Sequence, residues 1–222
     1  MKSFKSYLEE GVNDPAIFKA VFLAGGPGSG KSFIVGKTAL QPMGFKLINS
    51  DPAFEAALKK AGLTMDPKDI GSEKGQEVRA KAKAITKKQM DFALAGRLGL
   101  IIDGTGKDYE KIAKQVNDLR KIGYAVVMIF VNTDLETALA RNAARSRSLP
   151  DAMVTKMWND VQKNIGKFQN LFRDRMIVID NSDGANYEGA VLNAYRKISA
   201  WSKKPPENRH AKKWIDQQKK SR

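Results

Sequence analysis

Hydrophobic residues along the chain fall into short, nearly continuous runs, separated by longer stretches where they recur every three or four positions. The runs cover residues 18–24, 45–49, 98–102, 124–131 and 176–179. Runs this short and this apolar read as strands buried on both faces. The intervening stretches read as helices. One follows the first run and ends at Pro42 and Gly44. Asp51-Pro52 opens another, which reaches about Lys60 and is closed by Gly62. Residues 64–71 read as a loop. Ser72 with Gln76 and Glu77 starts a long helix ending near Gly96, its exposed face carrying Lys74, Arg79, Lys81, Lys83, Lys87 and Lys88. Further helices are predicted over 108–122, 133–147, 151–172 and 185–201. In 151–172, Met153, Met157, Val161, Ile165 and Phe168 have core-like spacing. Five strands alternating with helices predict an α/β fold of three layers, a five-stranded parallel sheet with helices on both faces and right-handed crossovers.

This pattern divides the chain into a main domain over 17–202 and two appendages. Residues 1–16 read as a short amphipathic helix with Phe4, Tyr7 and Leu8 on one side, stopped by Gly11 and Asn13-Asp14-Pro15. From Lys203 onward, eight basic residues and two acids surround Pro205-Pro206 and Trp214. This stretch reads as a basic tail or a short docked helix. As a tail it can lie along a phosphate backbone with Trp214 stacked on a base, or be merely solvated.

Composition narrows the chemistry. The chain has no cysteine and one histidine, His210, in the basic C-terminal stretch. Disulfides, thiolate metal sites and cysteine nucleophiles are excluded, and histidine-centred catalysis is not expected. The N-terminus lacks the apolar core of a signal peptide, and no run reaches the length of a membrane helix. A soluble, cytoplasmic protein with no membrane partner is expected. Lys and Arg number 39 against 24 Asp and Glu, a net charge of +15. Such an excess favours a polyanionic partner such as nucleic acid, or else is only a solvated surface.

The stretch Gly25-Gly26-Pro27-Gly28-Ser29-Gly30-Lys31-Ser32 fits G-x-x-x-x-G-K-[ST] at every fixed position, after a predicted strand and before a predicted helix. That context is what makes the motif a phosphate loop. Gly26, Gly28, Ser29 and Gly30 would wrap phosphates with backbone N–H groups, Lys31 would reach the β- and γ-phosphates, and Ser32 would ligate Mg²⁺. A nucleoside triphosphate, ATP, is the predicted ligand.

Three further motifs fall at the carboxyl ends of strands, where parallel sheets bind ligands. Asn49-Ser50-Asp51 follows the second strand; Asp51 suits a base that takes a proton from an attacking hydroxyl, or else Ser50 or Asp51 caps the helix. Leu100-Ile101-Ile102-Asp103-Gly104-Thr105-Gly106 ends the third strand. Asp103 there matches a carboxylate that orients Mg²⁺ and Thr105 a hydroxyl near the phosphates, against the plainer role of a turn. Arg141, Arg145 and Arg147 precede Pro150 in a segment over 141–152 that reads as a mobile lid. Arg141 and Arg145 share a helix face and suit transition-state charge, and Arg147 suits nucleotide phosphates. An exposed basic helix end is the alternative. Asn181-Ser182-Asp183-Gly184 after the fifth strand can touch the base of the nucleotide, against the plainer role of a turn.

In this order, the phosphate loop, Asn49-Ser50-Asp51, Ile-Ile-Asp103-Gly-Thr-Gly and Arg141…Arg145 resemble the zeta-toxin and polynucleotide-kinase branch of P-loop kinases, over about residues 18–182. The resemblance implies an adenylate-kinase-like strand order, 2-3-1-4-5, and phosphoryl transfer from ATP. The acceptor it implies is UDP-N-acetylglucosamine for zeta-type members and a 5′-hydroxyl nucleic-acid end for polynucleotide kinases. The charge tips the expectation towards nucleic acid. Two other classes stand beside it. Asp103-Gly-Thr-Gly106 also satisfies the D-x-x-G of a GTPase switch, but Asn132-Thr133-Asp134-Leu135 replaces the guanine-reading N-K-x-D. A nucleic-acid-binding module that binds ATP without transfer is the other.

Overall fold

The computed structural model describes residues 11–144 and 148–220. Its sheet has five parallel strands: β1 (Lys19–Ala24), β2 (Lys46–Ile48), β3 (Leu100–Asp103), β4 (Ala125–Asn132) and β5 (Met176–Asp180). Their order is β2-β3-β1-β4-β5, as the resemblance implied. β1 is central, with Ala20 facing Leu100 on one side and Val126 on the other. Alternate residues of each strand serve opposite faces. Ala20, Phe22, Leu100, Met128 and Phe130 belong to one core cluster; Val21, Leu23, Ile101, Ile129 and Val131 belong to the other. This is why the runs are apolar throughout rather than alternating.

The helices are α1 (Lys31–Lys37), α2 (Asp51–Lys60), α3 (Pro67–Gly71), α4 (Glu73–Ala95), α5 (Tyr109–Lys121), α6 (Leu135–Ala143), α7 (Asp151–Gln162), α8 (Ile165–Phe172), α9 (Tyr187–Ser202) and α10 (Arg209–Lys220). Ala93 of α4, Val116 and Leu119 of α5 and Phe168 and Phe172 of α8 cover the first face. Ile34 of α1 and Val191, Ala194 and Ile198 of α9 cover the second. α2 and α4 enclose a small third core around Phe54, Leu58 and Ala82.

Several boundaries differ from the sequence expectation, each for a local reason. The loop expected over 64–71 contains α3, because Asp66 accepts a hydrogen bond from Lys68 N (2.8 Å) and caps it. α1 stops at Lys37, well before Pro42, with Thr38 Oγ1 bonded back to Ile34 O (2.9 Å). The single helix expected over 151–172 is two. The break at Asn164 lets its buried Nδ2 donate to Gly106 O (3.0 Å) and Lys107 O (2.9 Å). Met153, expected in the core, is 49% exposed.

Of the readings for the stretch from Lys203, the docked helix is the one realised. Ala211 of α10 is buried, and Trp214 meets Phe18 edge-on at 5.5 Å with the Arg97 guanidinium 5.9 Å from its ring. Trp214 is therefore a packing residue, not a free platform for a base. Lys19, buried at the start of β1, donates to Lys204 O and ties down the connection between α9 and α10. The helix expected over 1–16 falls largely on residues 1–10, outside the described residues.

Candidate active site

With β3 beside β1 and β2 beyond it, the loops after β1, β2 and β3 open side by side at the carboxyl edge of the sheet. They enclose a cleft of about 880 Å³. Gly26, Gly28, Gly30, Lys31, Ser32, Asp51, Asp103 and Thr105 all line it. A second cavity, about 740 Å³, lies at the opposite edge around Lys19 and Trp201; no residue of the phosphate loop lines it.

The loop after β1 is stitched to β3: Gly25 N donates to Thr105 O (3.1 Å), and Gly104 N to Leu23 O (3.1 Å). Two of its glycines are required by geometry. Gly28 (φ 72) and Gly30 (φ 81) are left-handed, and a Cβ on Gly30 would lie 2.5 Å from Asn181 Nδ2. That amide donates to Ser29 O (2.8 Å) and clamps the loop from β5. Ser29 itself is buried with its Oγ beneath the loop, so its hydroxyl does not face the cleft. Lys31 Nζ donates to Gly25 O (2.6 Å), which holds the ammonium over the loop.

The carboxylates converge from β2 and β3. Asn49 braces both: its Nδ2 donates to Asp103 Oδ2 (3.0 Å), and its Oδ1 accepts from Asp51 N (2.8 Å). Ser50, the residue before α2, makes no side-chain cap bond, so its capping role is not realised. Asp51 is exposed at the cleft wall. Burial raises the Asp103 carboxyl above its ordinary value; the Lys31 ammonium opposes the rise and the Asp51 charge adds to it.

Asp103 Oδ1 is buried and has no hydrogen-bond partner among the described residues. A hard cation suits such an oxygen, and the Ser32 hydroxyl, which lines the same cleft, would be a second donor to Mg²⁺. No group of three or more His, Cys, Asp or Glu among the described residues can hold a metal. An ion here would complete its shell from water and phosphate oxygens.

On the other flank, Arg141 of α6 donates to Gly28 O (3.4 Å) and pairs with Asp183 (2.8 Å). Asn142 closes the segment after α6: its Nδ2 donates to Leu149 O (2.7 Å) and its Oδ1 accepts from Leu149 N (3.0 Å). Leu149 lines the cleft. Arg145 and Arg147 lie outside the described residues. The sequence offered no reason to single out Asn164, suggested for Asn181 and Asp183 only a base contact or a turn, and assigned Asn49 no role of its own. Asn49 and Asn181 each directly follow the last residue of a strand, which is the one signal that could have found them.

Residues 21–167 match the AAA domain family. Adenylate kinase isoenzyme 5 of Bos taurus is 31% identical over 137 residues, which are 60% of this chain and 23% of that protein. The chain thus spans about a quarter of the length of the curated relative it matches. Among solved structures, a chain of the AvrRxo1-ORF1:-ORF2 complex with ATP aligns with TM-score 0.59 at 14% identity, covering 88% of this chain and 70% of that one. A putative kinase from Chloroflexus aurantiacus gives TM-score 0.51 at 12% identity, over 80% and 97% of the two chains. The PezAT chromosomal toxin-antitoxin system of Streptococcus pneumoniae gives 0.50 at 14%, over 90% and 93%. At these identities the likeness is one of fold. The chain belongs to the AAA domain family, and its 2-3-1-4-5 sheet with a phosphate loop after β1 is the P-loop kinase fold.

Proposed function

We propose that this chain is an ATP-dependent kinase that transfers the γ-phosphate to a hydroxyl, with a nucleic-acid 5′-hydroxyl end as its acceptor. The observation that carries the reading is the meeting of Lys31, Ser32, Asp51 and Asp103, drawn from three strand ends, in one cleft. The curated relative is named an adenylate kinase, and one similar structure was solved with ATP. Both fit this choice of donor. The net charge of +15 favours a polyanionic acceptor.

In this reading, the loop N–H groups and Lys31 hold the β- and γ-phosphates in line with the acceptor. The acceptor oxygen forms a bond to the γ-phosphorus while the bond to the β,γ-bridging oxygen breaks, and ADP departs. The hydroxyl proton passes to the Asp51 carboxylate. Arg141, once withdrawn from Asp183, would place its guanidinium against the charge on the phosphoryl oxygens. Mg²⁺, held by Ser32 and Asp103, would supply charge neutralisation at the phosphates.

The test is transfer from γ-labelled ATP with 5′-hydroxyl DNA and RNA, nucleosides and UDP-sugars as acceptors. Label on an oligonucleotide end, lost with Asp51→Asn, is expected. Label on UDP-N-acetylglucosamine alone would reassign the acceptor to the zeta-toxin type. ATP binding without transfer to any of them would overturn the kinase reading.

A further inference from the structure

The acceptor side of the cleft is bounded by α4 and α5. Ala93 and Val116 of these helices share one core cluster, so both lie on the same face of the sheet. Thr86 of α4 lines the cleft together with Lys107, Lys111 and Gln115, which belong to α5 and the loop before it. Lys83 stands three residues before Thr86, hence beside it on the helix surface. Arg79, Lys83 and Lys87 follow one another at intervals of four, a row with steps of about 6 Å along the axis. From Val78 to Met90 the helix carries five cations and no acid. On the other wall, Lys107, Lys111 and Lys114 repeat nearly the same spacing.

All six cations are exposed, and none forms an ion pair with a carboxylate among the described residues. Two acids, Asp108 and Glu110, stand between Lys107 and Lys111 in this wall, and Asp108 has its Oδ1 engaged by Lys111 N at the start of α5 (3.1 Å). Two rows in which cations outnumber acids therefore flank the cleft that Asp51 lines, with Lys107 also within the field of Asp160. A neutral acceptor has no use for them, whereas a chain of phosphates satisfies them along its length.

We infer that Arg79, Lys83 and Lys87 on one wall and Lys107, Lys111 and Lys114 on the other grip the phosphodiester backbone of a single-stranded nucleic acid whose 5′ end enters the cleft. The inference rests on the kinase reading for which end enters; the binding surface itself does not depend on transfer. It also separates the working charge from the rest. The basic residues of α10 lie on an element that packs at the other edge of the sheet, around Phe18.

The experiment uses the full chain and a 3′-labelled, 5′-hydroxyl single-stranded oligonucleotide, with anisotropy measured over a range of salt. The variants are Lys83→Glu with Lys87→Glu, and separately Lys111→Glu. Lys212→Glu with Lys213→Glu on α10 is the control; all five positions are exposed, and folding is checked by circular dichroism. The α4 pair is expected to weaken binding at least ~10-fold and to lower the salt slope by about 1.4, two single-strand phosphate contacts. Lys111→Glu should act in the same direction, ATP affinity should hold, and the α10 pair should change little. Unchanged affinity and slope in the α4 and α5 variants would overturn the inference. So would an equal loss in the α10 pair, or no oligonucleotide binding by the parent at low salt. Binding lost as expected, but with no label transferred by the parent, would sustain this surface while removing the kinase reading. Transfer to a small hydroxyl acceptor without oligonucleotide binding would do the reverse.

Discussion

Asp51 and Asp103 look alike in sequence, each at the end of a strand, yet their surroundings separate them. Asp51 is exposed at the cleft wall, a place from which a carboxylate can receive a proton. Asp51→Asn should keep ATP affinity and lower transfer ~10²–10⁴-fold, the range of a general base, measured by single-turnover label transfer. Asp103 is the more buried, and its folded value is raised above the usual 3.8. Between those two values the folded protein binds more protons than the unfolded chain, so its stability falls as pH rises through that window. Asp103→Asn removes the slope. Its melting temperature should exceed the parent's at pH 7, and the gain should vanish towards pH 4. Thermal melts across that range check the sign, and added Mg²⁺ should stabilise the parent but not the variant. A gain that persists at pH 4 would show that the carboxyl is not strained by burial.

At the scale of elements, the helices and strands followed from hydrophobic period, but their ends followed from side chains bonding elsewhere. Asn164 is the clearest case. Its position in a stretch of helical spacing gave no reason to stop, and the reason lies on another element, in the carbonyls of Gly106 and Lys107 after β3. Asn164→Ala leaves those carbonyls without their donor and should cost about 1–3 kcal/mol in urea unfolding. A loss below measurement error would mean that water replaces the amide. Asp14 makes the same point. In sequence it belongs to a turn before Pro15. In the fold its Oδ1 accepts from Ala16 N (2.9 Å) and Gly99 N (3.2 Å), while Oδ2 pairs with Lys46 (3.0 Å). One buried carboxylate thereby joins the entry to β1 with β2 and the approach to β3.

At the scale of the molecule, the C-terminal stretch changes from a charged appendage to part of the core. Its basic residues dominate the sequence, yet Ala211 and Trp214 decide where it goes. Trp214→Ala should cost about 2–3 kcal/mol, somewhat below the 3–5 typical of a fully buried aromatic. Denaturant titration followed by circular dichroism measures it. If α10 is docked as described, removing residues 203–222 should cost at least as much, by uncovering Phe18 and Lys19. An unchanged midpoint would return the stretch to a solvated tail. No helix among the described residues is long and apolar enough to cross a membrane.

The sequence by itself determined the strand count, the parallel sheet and the phosphate loop, because each depends on a local pattern: apolar runs, helical spacing and glycines ahead of Lys31-Ser32. It also placed Asp51 and Asp103 at strand ends, hence at the ligand edge of any such sheet. Only the tertiary structure decided what holds them. Asn49 bridges the two carboxylate segments, Asn181 clamps Ser29 across 152 residues of chain, and Asp183 pairs with Arg141. These bonds join residues distant in sequence, and an asparagine's value as a brace depends on what stands within about 3 Å of it, which no one-dimensional pattern carries. The same holds for the charges. Composition gives their sum, while the fold decides which of them stand beside the cleft.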